Sequence, residues 1–223
     1  MQDQSTTLEW RDGRVPVSTR FVDPYFSLDN GLEETRHVFL CGSDLPALFR
    51  DGFHVAELGF GTGLNLLATW EAWRQADAPG RLRFTSFEAF PMTLADMETA
   101  LRAFPQVEAL ARALLDALGG VGPVFDLGDA ELTLITGDAR QALPVWDGRA
   151  DAWFLDGFSP AKNPELWGEA LMAEVGRHTA PAGTAATYTA AGHVRRGLEA
   201  AGFTVDRVPG VGRKRHMTRA VLA

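Results

Sequence analysis

"VAELGFGTG", from Val55 to Gly63, decides how this chain is read. It begins apolar, passes through an acid, Glu57, and then carries Gly59, Gly61 and Gly63 at every second position. That order describes a strand turning sharply into a helix. The helix continues through LNLLATWEAWRQA, with Leu64, Leu67, Ala68 and Ala72 on neighbouring turns. Glycine lets a backbone turn tightly and approach a ligand without a Cβ in the way. The helix start presents free amides. Together they suit a nucleotide-like ligand at the carboxyl end of a strand, although glycines alone are equally compatible with a tight strand–helix joint.

The spacing is G-x-G-x-G, one residue short of the G-x-G-x-x-G dinucleotide fingerprint. Glu57 sharpens the difference. A carboxylate two residues before the turn repels a pyrophosphate and attracts a cation. S-adenosylmethionine carries a sulfonium and an ammonium, so it suits the acid better than NAD does.

Working outward, strands alternate with helices along most of the chain. LRFTSFEAF reads as a second strand, and TLADMETALRAF and QVEALARALLDAL as helices broken at Pro105. A hairpin closed near Gly128-Asp129 leads to a strand over Leu132–Thr136, and DAWFLDG is the next strand. PELWGEALMAEVGRHT is expected to be one helix, with Pro164 in its first turn. GTAATYTA, AGHVRRGLEAA and FTVDRVPG continue the alternation as strand, helix and strand. This pattern predicts an α/β fold, a mostly parallel sheet with helices on both faces. Segments 203–208 and 216–222 have no helix between them, so they must pair antiparallel or leave the sheet. Upstream, TLEWRDGRVPVS predicts a hairpin with a two-residue turn at Asp12-Gly13, and Leu32–Leu40 a short helix. Residues 1–50 are thus expected to be an extension packed on a main domain over 51–223.

Two more acids end strands. Glu88, in TSFEAF, is placed to accept the two hydroxyls of a ribose, or else is a solvated strand-end acid. Asp138, in ITGDAR, is placed to accept from an adenine amino group or to cap the next helix. A fourth acid, Asp156, ends the strand in DAWFLDGFSPAKNPELW. Methyl transfer needs alignment and charge management, and an amine nucleophile must lose a proton. A carboxylate there can hold the amine and accept or guide that proton, or it can merely cap its loop. Phe158 and Pro160 can wall the target group, and Lys162 and Asn163 can touch a phosphate or a base edge, or lie exposed. Trp167 is expected to pack.

Composition bounds the alternatives. The 223 residues are 46% hydrophobic, enough for a sizeable core, and the formal net charge is −8. An acidic chain argues against broad nucleic-acid affinity without excluding a local basic patch. Such a patch is offered by Arg213, Lys214 and Arg215 with His216, by Arg195 and Arg196, and by Arg11, Arg14 and Arg20. The single cysteine, Cys41, cannot form an internal disulfide and is expected to be a buried thiol. No metal cluster is expected. The N-terminus lacks the apolar run of a signal peptide, and no stretch reaches membrane-span length, so a cytoplasmic protein is expected.

The blocks YFSLDNGLEETRHVFL, ELGFGTGLN, SFEAFP, WFLDGFSPAKNPELW, GHVRRGLEAAGF and GRKRHM occur in this order. Together they resemble the methyltransferase domain of the bifunctional tRNA 5-methylaminomethyl-2-thiouridine biosynthesis proteins, from about Trp10 to Met217. The resemblance implies a Rossmann-like class I methyltransferase with a seven-stranded sheet and a reversed last strand, and S-adenosyl-L-methionine as donor. It implies methylation of the 5-aminomethyl group on a wobble uridine in the tRNA anticodon stem-loop. It carries Glu57, the three glycines, Glu88, Asp138 and Asp156 over as cofactor residues, the last also as active-site acid. The bifunctional form continues into a flavin-dependent oxidase, of which this sequence has no second glycine fingerprint. A stand-alone methyltransferase, with a separate oxidase acting upstream, is therefore expected. The glycine turn and acids would equally serve a methyltransferase of a small amine or a protein, or a nucleotide-binding module without turnover.

Overall fold

The computed structural model describes residues 7–27, 30–212 and 214–223. Its centre is an eight-stranded sheet. In chain order the strands are β4 (His54–Leu58), β5 (Leu82–Glu88), β6 (Val124–Asp126), β7 (Ala130–Thr136), β8 (Ala150–Leu155), β9 (Thr179–Thr187), β10 (Phe203–Pro209) and β11 (His216–Leu222). The spatial order is β10-β11-β9-β8-β4-β5-β7-β6. Neighbours from β9 through β8, β4 and β5 to β7 pair parallel. The last strand, β11, runs antiparallel between β9 and β10, so of the two alternatives left by the missing helix the terminal strands take antiparallel pairing. The seven strands expected are present. The hairpin insertion adds an eighth, β6, antiparallel at the β7 edge.

Alternation along the central strands supplies two apolar faces, since successive side chains point to opposite sides. Val55, Ala152 and Phe154 face one core, which is covered by α2 (Leu64–Gln75), α3 (Leu94–Leu101) and α4 (Glu108–Leu118). Ala56, Leu58, Trp153 and Leu155 face the other, covered by α5 (Ala139–Ala142), α6 (Glu169–Arg177) and α7 (Gly192–Ala200). Both faces of β4 and β8 are buried, so apolar residues stand at successive positions, as in Ala152–Leu155, rather than at every second one.

The N-terminal part forms a small sheet of β1 (Leu8–Arg11), β2 (Val15–Ser18) and β3 (Asp23–Pro24). The register pairs Arg11 with Val15, so the hairpin loop has three residues, not two. Asp12 and Gly13 both take positive φ, and the Arg14 amide donates to the Arg11 carbonyl at 3.1 Å. After this sheet comes α1 (Gly31–Thr35), which continues as a π turn over Arg36–Leu40. That turn sends Val38, Phe39 and Leu40 into the core beside Phe154. Cys41 starts the next turn and is rotated outward, so it is exposed and the expectation of a buried thiol fails. The expected helix over PELWGEALMAEVGRHT is also divided. Gly168 takes an extended conformation (ψ 152°), separating a 3-10 turn at Pro164–Trp167 from α6. Among the described residues no helix is long and apolar enough to cross a membrane.

Candidate active site

The carboxyl ends of β4, β5, β7 and β8 border a cleft of about 1620 Å³. The glycine turn forms its floor. Gly59 (φ 88°) and Gly61 (φ 54°) line it. A Cβ at Gly59 would sit 3.2 Å from Gly157 Cα, so glycine there lets the turn after β4 and the loop after β8 touch. Gly63 lies outside the lining. It precedes α2 at φ 78°, and a Cβ there would crowd Leu114 and Phe60, so its role is to seat the helix.

Glu88 ends β5 in the cleft. Its Oε2 accepts from the Gly61 amide at 3.0 Å and its Oε1 from the Phe90 amide at 2.7 Å. Burial pushes its pKa up, while these amides hold it down. Glu57 is placed differently from the expected cofactor contact. It is fully buried and lies behind the cleft rather than on it. Its Oε1 accepts from Asn65 Nδ2 at 2.7 Å and its Oε2 from Ser86 Oγ at 2.6 Å. Burial, then the nearby Asp156 and Glu88, raise its pKa well above the usual carboxylate range. Asp138 caps α5 through the Arg140 amide at 2.9 Å, and both its oxygens also accept from the Arg140 guanidinium. These bonds hold its pKa low. Arg140 further pairs with Glu165 at 2.9 Å.

Asp156 faces the cleft at the tip of β8. Its Oδ1 accepts from the Gly157 amide at 2.8 Å, and its Oδ2 from Asn65 Nδ2 at 2.7 Å. Burial pushes its pKa up to about 6, against the lowering effect of those donors and of Lys214. Around it, Tyr188 donates from its hydroxyl to the Gly157 carbonyl at 2.8 Å. Lys214 Nζ sits 3.8 Å over the Tyr188 ring and pairs with Glu34. Trp167 is buried as expected, and its Nε1 donates to the Phe158 carbonyl at 2.9 Å.

The N-terminal segment forms one wall of the cleft. Phe158 stacks on Phe21, ring centroids 4.5 Å apart, and meets Tyr25 edge-on at 5.0 Å. Asp23 accepts from the Ser159 amide at 3.0 Å and pairs with Lys162 at 3.2 Å, while Lys162 also donates to the Val22 carbonyl. Lys162 is therefore tied to the protein itself. Of the basic residues, Arg11, Arg20, Arg140, Lys162 and Lys214 line the cleft. Arg195 on α7 and the exposed Arg215 lie outside its lining, and Arg213 lies outside the described residues. Sequence reasoning missed Asn65, Ser86, Thr35, Glu34 and Tyr188, whose partners are mostly remote in the chain. The one local signal was Asn65, a polar residue in the otherwise apolar first turn LNLL.

A mostly parallel α/β sheet, a glycine turn after β4 and acids at the ends of β5, β7 and β8 define a protein that lays a nucleotide-like, cationic ligand across its strand ends. A family model described as S-adenosyl-L-methionine-dependent methyltransferase matches residues 104–223, more than half of the chain, and the chain belongs to that family. It is similar to the tRNA 5-methylaminomethyl-2-thiouridine biosynthesis bifunctional protein MnmC of Stutzerimonas stutzeri (46% identity over 98% of this chain and 35% of that protein). The protein of the same name from Caulobacter sp. strain K31 is 49% identical over 97% of this chain and 38% of its own length. The chain thus spans little more than a third of these relatives. Among solved structures, MNMC2 from Aquifex aeolicus superposes with a TM-score of 0.80 at 26% identity, covering 99% of this chain and 72% of that one.

The residues present fit S-adenosyl-L-methionine, which supplies an electrophilic methyl group when bound. Glu88 and the Gly59 and Gly61 backbone would hold its nucleoside part. Glu88 and Asp156 line the cleft with Glu57 buried behind them, and a carboxylate ionised there would attract its cationic part.

Proposed function

We propose that this chain methylates the amine of 5-aminomethyl-(2-thio)uridine at the wobble position of tRNA, giving 5-methylaminomethyl-(2-thio)uridine. The observation that carries the reading is Asp156, a buried acid at the cleft beside the glycine turn, in a chain nearly half identical to proteins named for that nucleoside.

The chemistry follows from the carboxylate. Two of its roughly four acceptor positions are taken by Asn65 and Gly157, which leaves room for an amine. An ammonium has no lone pair, so the bound amine must give up a proton. A carboxyl whose pKa is pushed up to about 6 is a better base than an exposed aspartate and is still ionised at neutral pH. Phe158, backed by Phe21 and Tyr25, keeps that side of the cleft apolar and dry. A single-stranded loop base is the kind of RNA target that can be splayed into such a cleft. Arg11, Arg20 and Lys214 at the cleft, with Arg195 and Arg215 beyond it and Arg213 of the same basic sequence run, are the proposed phosphate contacts of the anticodon stem-loop, positioning the RNA without reading it.

In this reading residues 51–223 carry the catalytic fold and residues 1–50 complete the cleft wall. The enzyme works in the cytoplasm, on aminomethyl-uridine delivered by an oxidase acting upstream. The test is transfer of labelled methyl from S-adenosyl-L-methionine to tRNA bearing 5-aminomethyl-uridine. Label is expected on the wobble nucleoside, with affinity for tRNA falling as salt rises. No label, with donor binding confirmed by calorimetry, would overturn the reading.

A further inference from the structure

Asn65 occupies an unusual place in the polar groups beneath the cleft. It is buried in the first turn of α2. Its single Nδ2 lies 2.7 Å from Glu57 Oε1 and 2.7 Å from Asp156 Oδ2, so its two N–H groups go to two different carboxylates. Its Oδ1 accepts from Thr35 Oγ1 at 3.0 Å, a bond that reaches across from α1. The amide has one workable orientation. Turned over, its acceptor oxygen would face two acids. Rotated away, it would forfeit three hydrogen bonds in the interior. Glu57 is in turn fixed by Ser86. The result is a chain of contacts from α1 through α2 to the tips of β4 and β8.

We propose that Asn65 is a positioning residue for methyl transfer: it aims the Asp156 carboxylate into the cleft, and Thr35 locks its own orientation. The proposal rests on the reading of Asp156 as the acid that receives the amine. Asparagine is suited to the place for a physical reason. It donates to two acids without adding a full charge, whereas a lysine would neutralise the negative potential that a cationic donor uses, and an aspartate would add a third carboxylate. Charge-assisted hydrogen bonds to a carboxylate are short and directional, so the bond fixes orientation as well as ionisation. The other groups that face Asp156 are Glu57 on β4, Glu34 on α1, Tyr188 after β9 and Lys214 before β11. Of these, Glu57 loses its own hydrogen bond when Asn65 is replaced, so its pKa moves up as well, whereas Glu34, Tyr188 and Lys214 act on Asp156 without passing through Asn65.

The experiment compares Asn65→Ala, Thr35→Val and Asp156→Asn with the parent enzyme. The first readout is the carboxyl titration of Asp156 by ¹³C NMR in the ligand-free protein. The second is the acid limb of kcat/KM for methyl transfer. Losing a hydrogen bond to the charged form raises the pKa of an acid. In Asn65→Ala the titration midpoint and the acid limb should both move up by about one pH unit, the worth of one charged hydrogen bond. At pH 7 the shift alone should lower the ionised fraction about twofold, and the lost aim should bring the fall in kcat to about tenfold, while the dissociation constant for S-adenosyl-L-methionine changes by no more than about threefold. Thr35→Val, which keeps shape and removes only the donor, should move both readouts the same way by a smaller amount. A folded Asn65→Ala with an unmoved titration and limb would overturn the proposal. If that variant does not fold, an unmoved Thr35→Val would do so. Asp156→Asn separates the two readings: if it retains full turnover, Asp156 is not the working acid, and the carboxyl titration of Asn65→Ala still reports on the hydrogen bond.

Discussion

β4 and β8 lie side by side, and the two ends of this pair treat their acids in opposite ways. At the amino end, Asp151 accepts from Arg50 at 2.6 and 3.2 Å and from the His54 amide at 2.9 Å. His54 beside it is a closed polar unit. Its Nδ1 meets the Arg149 carbonyl at 2.9 Å and its Nε2 the Thr85 hydroxyl at 2.8 Å. Burial, helped by Arg83, lowers its pKa to about 4, so it is neutral at physiological pH. At the carboxyl end, Glu57 and Asp156 share one neutral amide. Among the described residues neither has an ion-pair partner in contact. The pKa of each is raised, chiefly by burial. The amino end is electrostatically complete. The carboxyl end holds acids that are poorly compensated: Lys214 acts on Asp156 without pairing with it and is itself paired with Glu34. Buried uncompensated charge is costly, and it persists where a ligand of opposite sign completes it. The difference teaches which end of the sheet stabilises the fold and which performs the chemistry.

Substitutions at the two ends should therefore separate turnover from stability. The largest effect is expected for Asp156→Asn, which keeps the shape and removes the base. Turnover should fall by on the order of 10²–10⁴-fold, with donor affinity retained in calorimetry, and unimpaired turnover would break the contrast. Next comes Glu88→Ala. Losing the acceptor proposed for the ribose should weaken S-adenosyl-L-methionine binding by about 10–100-fold, and unchanged affinity would move the nucleoside part elsewhere in the cleft. At the other end, Asp151→Asn removes an ion pair whose arginine is largely exposed. Thermal unfolding should report a loss of about 1 kcal/mol, with turnover within about twofold of the parent. A large loss of activity there would mean that the amino end is not merely structural. The smallest effect is expected for Lys162→Ala. Its ammonium is tied to Asp23 and Val22, so the salt dependence of tRNA binding should not change, and a slope lower by a full unit would mark it as a phosphate contact.

The carboxyl end was largely legible in the sequence, because strand tips and glycine turns are local patterns. Gly59, Gly61, Glu88 and Asp156 stand where the pattern placed them, while the missing helix left two placements for the last strand and the family resemblance implied the reversed one. What the sequence could not disclose was direction and distance. Glu57 sits on the right strand, but its side chain lies behind Asn65, a matter of which face of β4 it occupies. Asp138 turned out to have both oxygens engaged by a residue two positions away. Thr35, Glu34, Tyr188 and Lys214 meet Asp156 or its neighbours across 30 to 180 positions, and no periodicity encodes such pairings. The same holds for the partners of Phe158 and Lys162, which line the cleft as read but are also held against the N-terminal segment. Cys41 escaped the ordinary burial of a lone thiol because the π turn before it sends Val38, Phe39 and Leu40 inward instead.

The account turns on negative charge held ready for a cation at the tip of β8, and one measurement addresses it directly. Asp156 is ionised above its pKa and protonated below it, and a bound cation favours the ionised form, so binding must move the midpoint down. The ¹³C titration of the Asp156 carboxyl, with and without S-adenosyl-L-methionine, reads this shift. The account predicts a midpoint near 6 in the free protein and a clear fall when the donor binds. A midpoint in the ordinary range near 4, or one that the donor leaves unmoved, would contradict it.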